Sequence, residues 1–319
     1  MIKVTDKAMN ELCGKLSINL KDLEFLGGGR GDSDGIVYTF HMNHRKMVMK
    51  ILAIPENKAD ELKSLEIRVR YANFLGENGI RLAYPIKNQN GNLYETSADH
   101  QHVYTAYIME FFAGKNPEND ALTDEFVCEW GRIIGKSHRV TKNFADGELD
   151  DRFSYKSEMS FFMNWCQDAF VKSAWSEMES CLEALPMGRD DYGFIHNDNH
   201  QRNILVLDQT ITLIDFDCAN RQFFLQDITT PAQGMMFDKT GGLLSPLCDA
   251  DRLKRFFSCF INGYEKENHL TDFWYNKLTI FINYRRLLLF TCLQDWLNTE
   301  ASLKDGFLRN IANPPQILL

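Results

Sequence analysis

The sequence predicts an α+β chain in two lobes: a small sheet-rich N-terminal lobe with one main helix, residues 1–112, and a larger, mostly helical C-terminal lobe, residues 113–319. Three observations carry that expectation. The first third holds short runs dense in Val, Ile, Tyr, Phe and Met, bounded by Gly, Asn or charged residues, which is the signature of strands. From Gly114 onward apolar residues recur every three or four positions over long stretches, the helical period. At 319 residues the chain exceeds what one hydrophobic core usually reaches, so two packed units are expected.

In chain order, a helix is expected over 4–16 and strands over GIVYTF (35–40) and KMVMKILAI (46–54). A helix follows in ADELKSLEIRVRYANFLG, where Leu62, Leu65, Val69 and Ala72 form a stripe that Gly76 and Gly79 end. Asn90-Gly91 between AYPIKNQ and NLYETS reads as a hairpin turn, and VYTAYIMEFF (103–112) as a further strand. Helices are then expected over 122–141, 154–185, 249–267 and 271–299, interrupted by a polar cluster and the strand-like TITLIDF (210–216).

Composition narrows the function classes. With 44% hydrophobic and 25% charged residues the chain is ordinary globular material, and a net charge of −9 argues against general nucleic-acid binding. The eight cysteines, at 13, 128, 166, 181, 218, 248, 259 and 292, include no CxxC pair, which fits reduced, buried thiols in a cytoplasmic protein. No run approaches the length of a membrane span, and MIKVTDKAMNELCGK lacks a signal-peptide apolar region.

The polar cluster is HNDNHQRN, residues 196–203, set between FI and ILV. His196 and His200 are four apart, which suits zinc only on a helix, and the asparagines here favour a turn. No third ligand stands at a recognisable spacing, and no GxSxG supports a hydrolase. A second segment changes the picture: the run TITLI delivers Asp215 twelve residues after Asn203. A carboxylate and an amide oxygen suit Mg2+, a hard cation that phosphate oxygens complete. Asp198 is then left to accept a hydrogen bond from an attacking hydroxyl. Upstream, LGGGRGDSDGIVY (26–38) offers a glycine-rich turn whose N–H groups can approach phosphate, and Lys50 sits mid-strand in VMKIL, where an ammonium needs a counter-charge. Alternation does not say which face Lys50 takes, since Met49 and Ile51 are both apolar; Glu66 on the helix can supply the counter-charge, with Glu61 its rival.

Together these residues resemble the aminoglycoside phosphotransferase and choline kinase group within the protein-kinase-like fold. The pattern there is HGDxxxxN followed by IDF; here it stands as His196-Asn197-Asp198-Asn199-His200-Gln201-Arg202-Asn203 and Ile214-Asp215-Phe216. SDGIVY (33–38), Lys50, Glu66, YIMEFFAG (107–114), GRIIGKSH (131–138) and Asp227 in LQDI follow in family order. The resemblance implies that Asp198 is the catalytic base, that Asn203 and Asp215 hold Mg2+, and that Lys50, held by Glu66, contacts the ATP phosphates. It also implies that Ser33 and the amides after it cover the triphosphate, that the backbone of Glu110 and Phe112 pairs with adenine, and that His196, His138 and Asp227 are structural, Asp227 bracing the loop. Three departures stand out: Asn197 replaces the usual Gly, Asn199, Gln201 and Arg202 replace Leu, Pro and Gly, and no Gly follows IDF where Asn220 or Arg221 stands.

The expected activity is transfer of the γ-phosphoryl group of ATP to a hydroxyl of a small molecule such as an aminoglycoside or amino alcohol. Asp150, Asp151, Asp190 and Asp191 are expected to be solvated surface, and Asp217 to lie toward the acceptor. Two other classes stay open: an atypical Ser/Thr protein kinase, which the lack of an APE segment distinguishes from a typical one, and a non-catalytic protein of the same fold, against which Lys50, Asp198, Asn203 and Asp215 all being present argues.

Overall fold

The computed structural model describes residues 4–29, 35–118, 121–145, 153–235 and 250–314. Contacts divide the chain into two units, one of 1–114 with 212–217, the other of 115–211 with 218–319. Residues 212–217 join the first unit although they lie far along the chain.

The first unit opens with α1 (Asp6–Leu16), which Thr5 caps by accepting from Ala8 N at 3.3 Å. β1 (Glu24–Gly28), β2 (Ile36–Met42) and β3 (Arg45–Pro55) follow, then α2 (Ala59–Glu77), β4 (Glu95–Ala98) and β5 (His102–Glu110). All strand pairs are antiparallel, in the order β1-β2-β3-β5-β4. Asn43 and His44, both at positive φ, make the tight turn between β2 and β3. Strand parity then sorts the core. Met47, Met49, Ile51 and Ala53 of β3 pack with Ala8, Leu12 and Leu16 of α1, while Ile54 packs with Leu65 and Val69 of α2. Lys50 shares the parity of Ile54, so it points to the α2 face, which resolves what alternation in the sequence left open.

Two expectations are corrected here. β1 was not legible because Phe25 and Leu26 are both exposed, at 66% and 55%, which leaves no alternation to read. Asn90-Gly91 does form a turn, with Gly91 at φ 82 and Asn88 Oδ1 accepting from the N–H groups of Asn90 and Asn92, but its flanks do not make a ladder with each other. Glu95–Ala98 pairs with β5 instead, and Ile86 N donates to Ile108 O.

The second unit begins with α3 (Asp124–Thr141), α4 (Tyr155–Trp165) and α5 (Ala169–Glu183). The single helix expected over 154–185 is therefore two, because Asp168 Oδ1 caps a new start by accepting from Phe170 and Val171 N–H. β6 (Tyr192–Ile195), β7 (Ile204–Leu207), β8 (Thr210–Leu213), β9 (Asn220–Phe223) and the short α6 (Phe224–Thr229) surround the polar cluster in sequence, and β8 carries the chain toward Asp215. The rest is helical: α7 (Ala250–Tyr264), α8 (Asp272–Tyr275), α9 (Leu278–Leu297) and α10 (Ala301–Ala312). The stretch expected as one helix over 271–299 is divided before Leu278, and α10 lies beyond it. α9 is buried around most of its circumference, including Arg285 and Arg286. Among the described residues no helix is long and apolar enough to cross a membrane.

The cysteines among the described residues are free thiols, but only Cys13 and Cys166 are buried; Cys181, Cys218 and Cys292 are exposed. Cys181 on α5 shows that helical position did not imply burial. α3 and α7 pack through glycine: a Cβ on Gly131 would sit 2.0 Å from Phe260 O, and one on Gly263 1.7 Å from Cys128 O. Alanine in a helix interior gains about 1 kcal/mol over glycine, but here the helices would have to separate. Gly131→Ala is therefore expected to lose stability on balance, by about 1–3 kcal/mol, read as a lower urea midpoint at unchanged slope; a stabilised variant would show that this helix contact yields.

Candidate active site

The residues singled out for chemistry fall into two groups, one in each unit. In the first, Lys50 lies in the middle of β3 with its side chain 10% exposed, 2.6 Å from Asp217 Oδ2 and 3.0 Å from Asp215 Oδ1. Tyr107 on β5, paired with Lys50 in register, donates its hydroxyl to Asp217 Oδ1 at 3.4 Å. Burial alone would lower the Lys50 ammonium; Asp217 foremost, then Tyr107 and Asp215, outweigh it and hold the pKa well above its ordinary value. Lys50 is thus a fixed cation. The glycine turn reaches it: Gly28 stands at φ 87, where a Cβ would meet Gly35 O at 1.9 Å, and a Cβ on Gly35 would meet Lys50 Cε at 2.7 Å. Glycine is required where the loop folds back on itself and against the lysine.

The counter-charge expected from Glu66 is placed differently. Asp215 and Asp217 take Lys50, while Glu66 lies beside the Tyr94 hydroxyl, which burial and then this carboxylate raise in pKa, and Glu61 pairs with Lys58 at 2.6 Å. Asp217, expected toward the acceptor, is instead the nearer partner of the strand lysine. Only Phe216 separates it from Asp215; with the backbone at Asp215 left-handed, φ 64, both carboxylates reach one ammonium. Glu110 closes β5 with its side chain 3.2 Å from Arg45, and Arg81 lies over the Phe112 ring at 5.3 Å. Ser33 lies outside the described residues, as do Asp150 and Asp151.

The second group is the loop after β6. Asp227 on α6 accepts from His196 N at 2.9 Å through Oδ2 and from Asn197 N at 2.7 Å through Oδ1. These bonds hold two consecutive amides while Asn197 takes φ 68, a conformation asparagine tolerates better than most residues. Asp198 follows. Its Oδ2 accepts from Asn203 Nδ2 at 3.0 Å and lies 3.4 Å from His200 Nε2; its Oδ1 accepts from Arg285 Nη2 at 2.6 Å. Burial would raise this carboxyl, but Arg285 first and then His200 outweigh it and hold it well below the usual carboxylate range. Asn203 Nδ2 also donates to Asp198 O at 2.9 Å, so its amide is turned with Oδ1 as the oxygen left for a cation. In the first unit the Asp215 carboxylate is half-exposed, and each of these two oxygens is a hard donor in its own unit. Among the described residues no group of three or more His, Cys, Asp or Glu side chains could hold a metal by itself. Arg202 is exposed, and only its backbone takes part in the loop, donating to His200 Nδ1 and accepting from Asn116.

Sequence reasoning missed the residues that grip this loop from α9 and α4. Arg285 is one; Tyr284 is another, donating to Glu158, which also accepts from Asn197 Nδ2. Two consecutive arginines inside the apolar run FINYRRLLLF were the available signal. His138 is structural, as expected: with a carboxylate facing it, Nε2 donates to Asp227 Oδ2 at 3.3 Å, Nδ1 accepts from Tyr264 at 2.9 Å, and the ring stacks on Phe224 at 4.3 Å.

The model of the phosphotransferase enzyme family matches residues 30–264. Amicoumacin kinase of Bacillus subtilis (strain 168) is 24% identical over 323 residues, covering 97% of this chain and 92% of that protein. A solved amicoumacin kinase in complex with AMP-PNP, Ca2+ and Ami superposes with TM-score 0.78 at 20% identity, over 94% of this chain and 90% of that one. A microcompartment-associated aminopropanol kinase gives TM-score 0.68 at 16% identity, over 94% of each chain. The fold is protein-kinase-like.

Burial, opposed by Asp227, depresses the His138 pKa below 6.5. Below pH 6.5 the unfolded chain binds a proton there that the folded chain refuses, so stability falls with pH by up to about 1.4 kcal/mol per unit from this group. His138→Gln is expected to cost stability at alkaline pH but to flatten the decline in the first unit below pH 6.5, measured by urea unfolding; an unchanged slope would show that His138 titrates alike in both states.

Proposed function

Because the chain belongs to the phosphotransferase enzyme family, we propose that it transfers the γ-phosphoryl group of ATP to a hydroxyl of a small molecule, with Mg2+ as the metal. The observation that supports this most is the Asp198 loop: a carboxylate and an amide five residues apart, the carboxylate accepting from Arg285 and from Asn203, in a loop whose backbone amides at His196 and Asn197 donate to Asp227. Phosphoryl transfer asks little covalent chemistry of a protein and much positioning of charge.

In this reading Asp198 accepts a hydrogen bond from the acceptor hydroxyl and takes its proton as the bond to phosphorus forms. Lys50 contacts the α- and β-phosphates, relinquishing part of its hold on Asp215 and Asp217. Asn203 and Asp215 would hold Mg2+, which supplies charge neutralisation for the phosphates. Glu110 and Phe112 would present backbone groups to adenine, and the glycine turn with Ser33 would cover the triphosphate. Glu66 keeps a role in this scheme only if nucleotide binding draws Lys50 away from the two aspartates.

The acceptor is proposed to be a small hydroxyl compound of the amino alcohol or aminoglycoside kind. The names of the amicoumacin and aminopropanol kinases support this class. A screen with labelled ATP against amicoumacin, aminopropanol, choline, spectinomycin, an aminoglycoside and a Ser/Thr peptide tests it; label on the peptide alone would overturn the small-molecule reading.

ATP with Mg2+ is expected to stabilise the fold by about 2.7 kcal/mol at a hundredfold excess over Kd, seen as a rise in Tm that chelation reduces. An equal rise without the metal would remove Asn203 and Asp215 as its ligands. Asp198→Asn should keep that rise and lose about 100- to 10,000-fold in turnover, the worth of a positioned base; near-normal turnover would take Asp198 out of the role.

A further inference from the structure

Arg285 is a buried cation aimed at a residue that the kinase reading makes its base. Its side chain is 5% exposed, Nη2 donates to Asp198 Oδ1 at 2.6 Å, and Nε donates to Gln233 Oε1 at 2.7 Å. The preceding residue of α9, Tyr284, donates to Glu158, and Glu158 accepts from Asn197, the neighbour of Asp198. One turn of a buried helix therefore grips both residues of the loop, directly at Asp198 and through one carboxylate at Asn197.

Such a pair is an expensive way to hold a loop. Removing two charges from water costs several kcal/mol per ion, and well-packed apolar side chains of similar volume commonly give equal or greater stability. The surrounding α9 is made of such side chains, Leu287, Leu289 and Phe290 among them. What apolar packing cannot supply is a directional hydrogen bond that holds a carboxylate in one plane and aims it. Each carboxylate oxygen has two acceptor directions. Arg285 uses one on Oδ1, and Asn203, with His200 close by, occupies Oδ2. The carboxylate plane is thus fixed at both ends, and a second lone pair on Oδ1 is the natural place for an incoming hydroxyl.

We propose that Arg285, buttressed by Gln233, is a positioning residue for phosphoryl transfer: it fixes the Asp198 carboxylate so that Oδ1 presents to the acceptor hydroxyl. It acts through Asp198 and leaves nucleotide binding to other residues. This rests on the reading of Asp198 as the base. As the acceptor oxygen bonds to the γ-phosphorus, the bond from that phosphorus to the bridging oxygen breaks, ADP leaves, and the acceptor proton passes to Asp198; the guanidinium holds the carboxylate in place for this. Gln233 has no charge of its own to contribute; it fixes the guanidinium plane so that Nη2 rather than Nε faces the loop.

The test is a double-mutant cycle on the full chain, read as ADP formation from ATP with water as the acceptor and again with amicoumacin added. Arg285→Gln should lower kcat about 10- to 100-fold, the usual effect of removing a group that orients a reacting one, while KM for ATP and the Mg-ATP shift in Tm stay within about twofold. Arg285→Lys should recover part of kcat, since it keeps the charge and loses the fork. Gln233→Leu should lower kcat in the same direction by less. In an Asp198→Asn background, Arg285→Gln should add less than about twofold, because its target is already gone. A merely structural arginine would lower Tm and leave kcat per folded molecule unchanged. That result, or losses that multiply in the double variant, would overturn the proposal. If Asp198→Asn alone keeps its turnover, it is the base assignment that falls, and the two failures are told apart.

Discussion

Asp227 carries one buried carboxylate on which the catalytic-type loop of the second unit hangs. It is 1% exposed, and its partners are two consecutive backbone amides, His196 N and Asn197 N, and the ring of His138. Adjacent amides rarely point the same way; that they do here reflects the left-handed turn at Asn197, whose cost the two hydrogen bonds offset. The anchor is itself anchored: Asn268 donates to Tyr264, Tyr264 to His138 and His138 to Asp227, in a chain that runs through α7 and α3. The glycine packing between those two helices therefore bears on the loop as well as on stability, because the hydrogen-bond chain crosses that contact.

The two units solve opposite electrostatic problems by the same device. In the first, burial works against a charged ammonium, and Asp217, Tyr107 and Asp215 oppose it. In the second, burial works against a charged carboxylate, and Arg285 and His200 oppose it. Each charge is held by partners of opposite sign at hydrogen-bonding distance, so each remains charged across physiological pH. The proposed phosphoryl transfer would draw on both charges, the ammonium for phosphate and the carboxylate for a hydroxyl proton.

How much of this was legible follows from range. HNDNHQRN, IDF and the strand lysine lie within short windows where residue type and spacing carry chemistry, and they led to the family and to the residues the proposed mechanism uses. Long-range partners were not legible. Asp217 was expected toward an acceptor and binds Lys50 instead, because the turn at Asp215 is a backbone fact that no pattern announces. Arg285 lies 87 positions from Asp198, in a helix whose apolar surroundings marked it only as core. The hairpin at Asn90-Gly91 failed for a related reason: turn chemistry was local and correctly read, whereas strand pairing was decided by β5. β1 escaped because edge position exposes Phe25 and Leu26 and erases the alternation on which a strand assignment depends.

The unusual wording of the loop has a structural reason. Where Asn197 stands for the family's usual glycine, its side chain is used: Nδ2 donates to Glu158 and, at 3.2 Å, to Cys218 O. Asn199 accepts from Trp130 Nε1 at 3.0 Å and donates to Asp227 O at 3.4 Å, and Gln201 donates to Pro117 O at 3.4 Å. Leucine, proline and glycine at such positions would shape a loop by packing and by restricting backbone angles; here side-chain amides tie it to α4, α3 and the segment before α3. Hydrogen bonds from buried amides are directional, and each one left unmade costs more than a lost apolar contact of similar size. The loop therefore has little freedom to settle a fraction of an ångström away, which suits the positioning role proposed for Asp198. Arg202, the one loop side chain in this stretch that is exposed, is also the one whose replacement such a loop tolerates most easily.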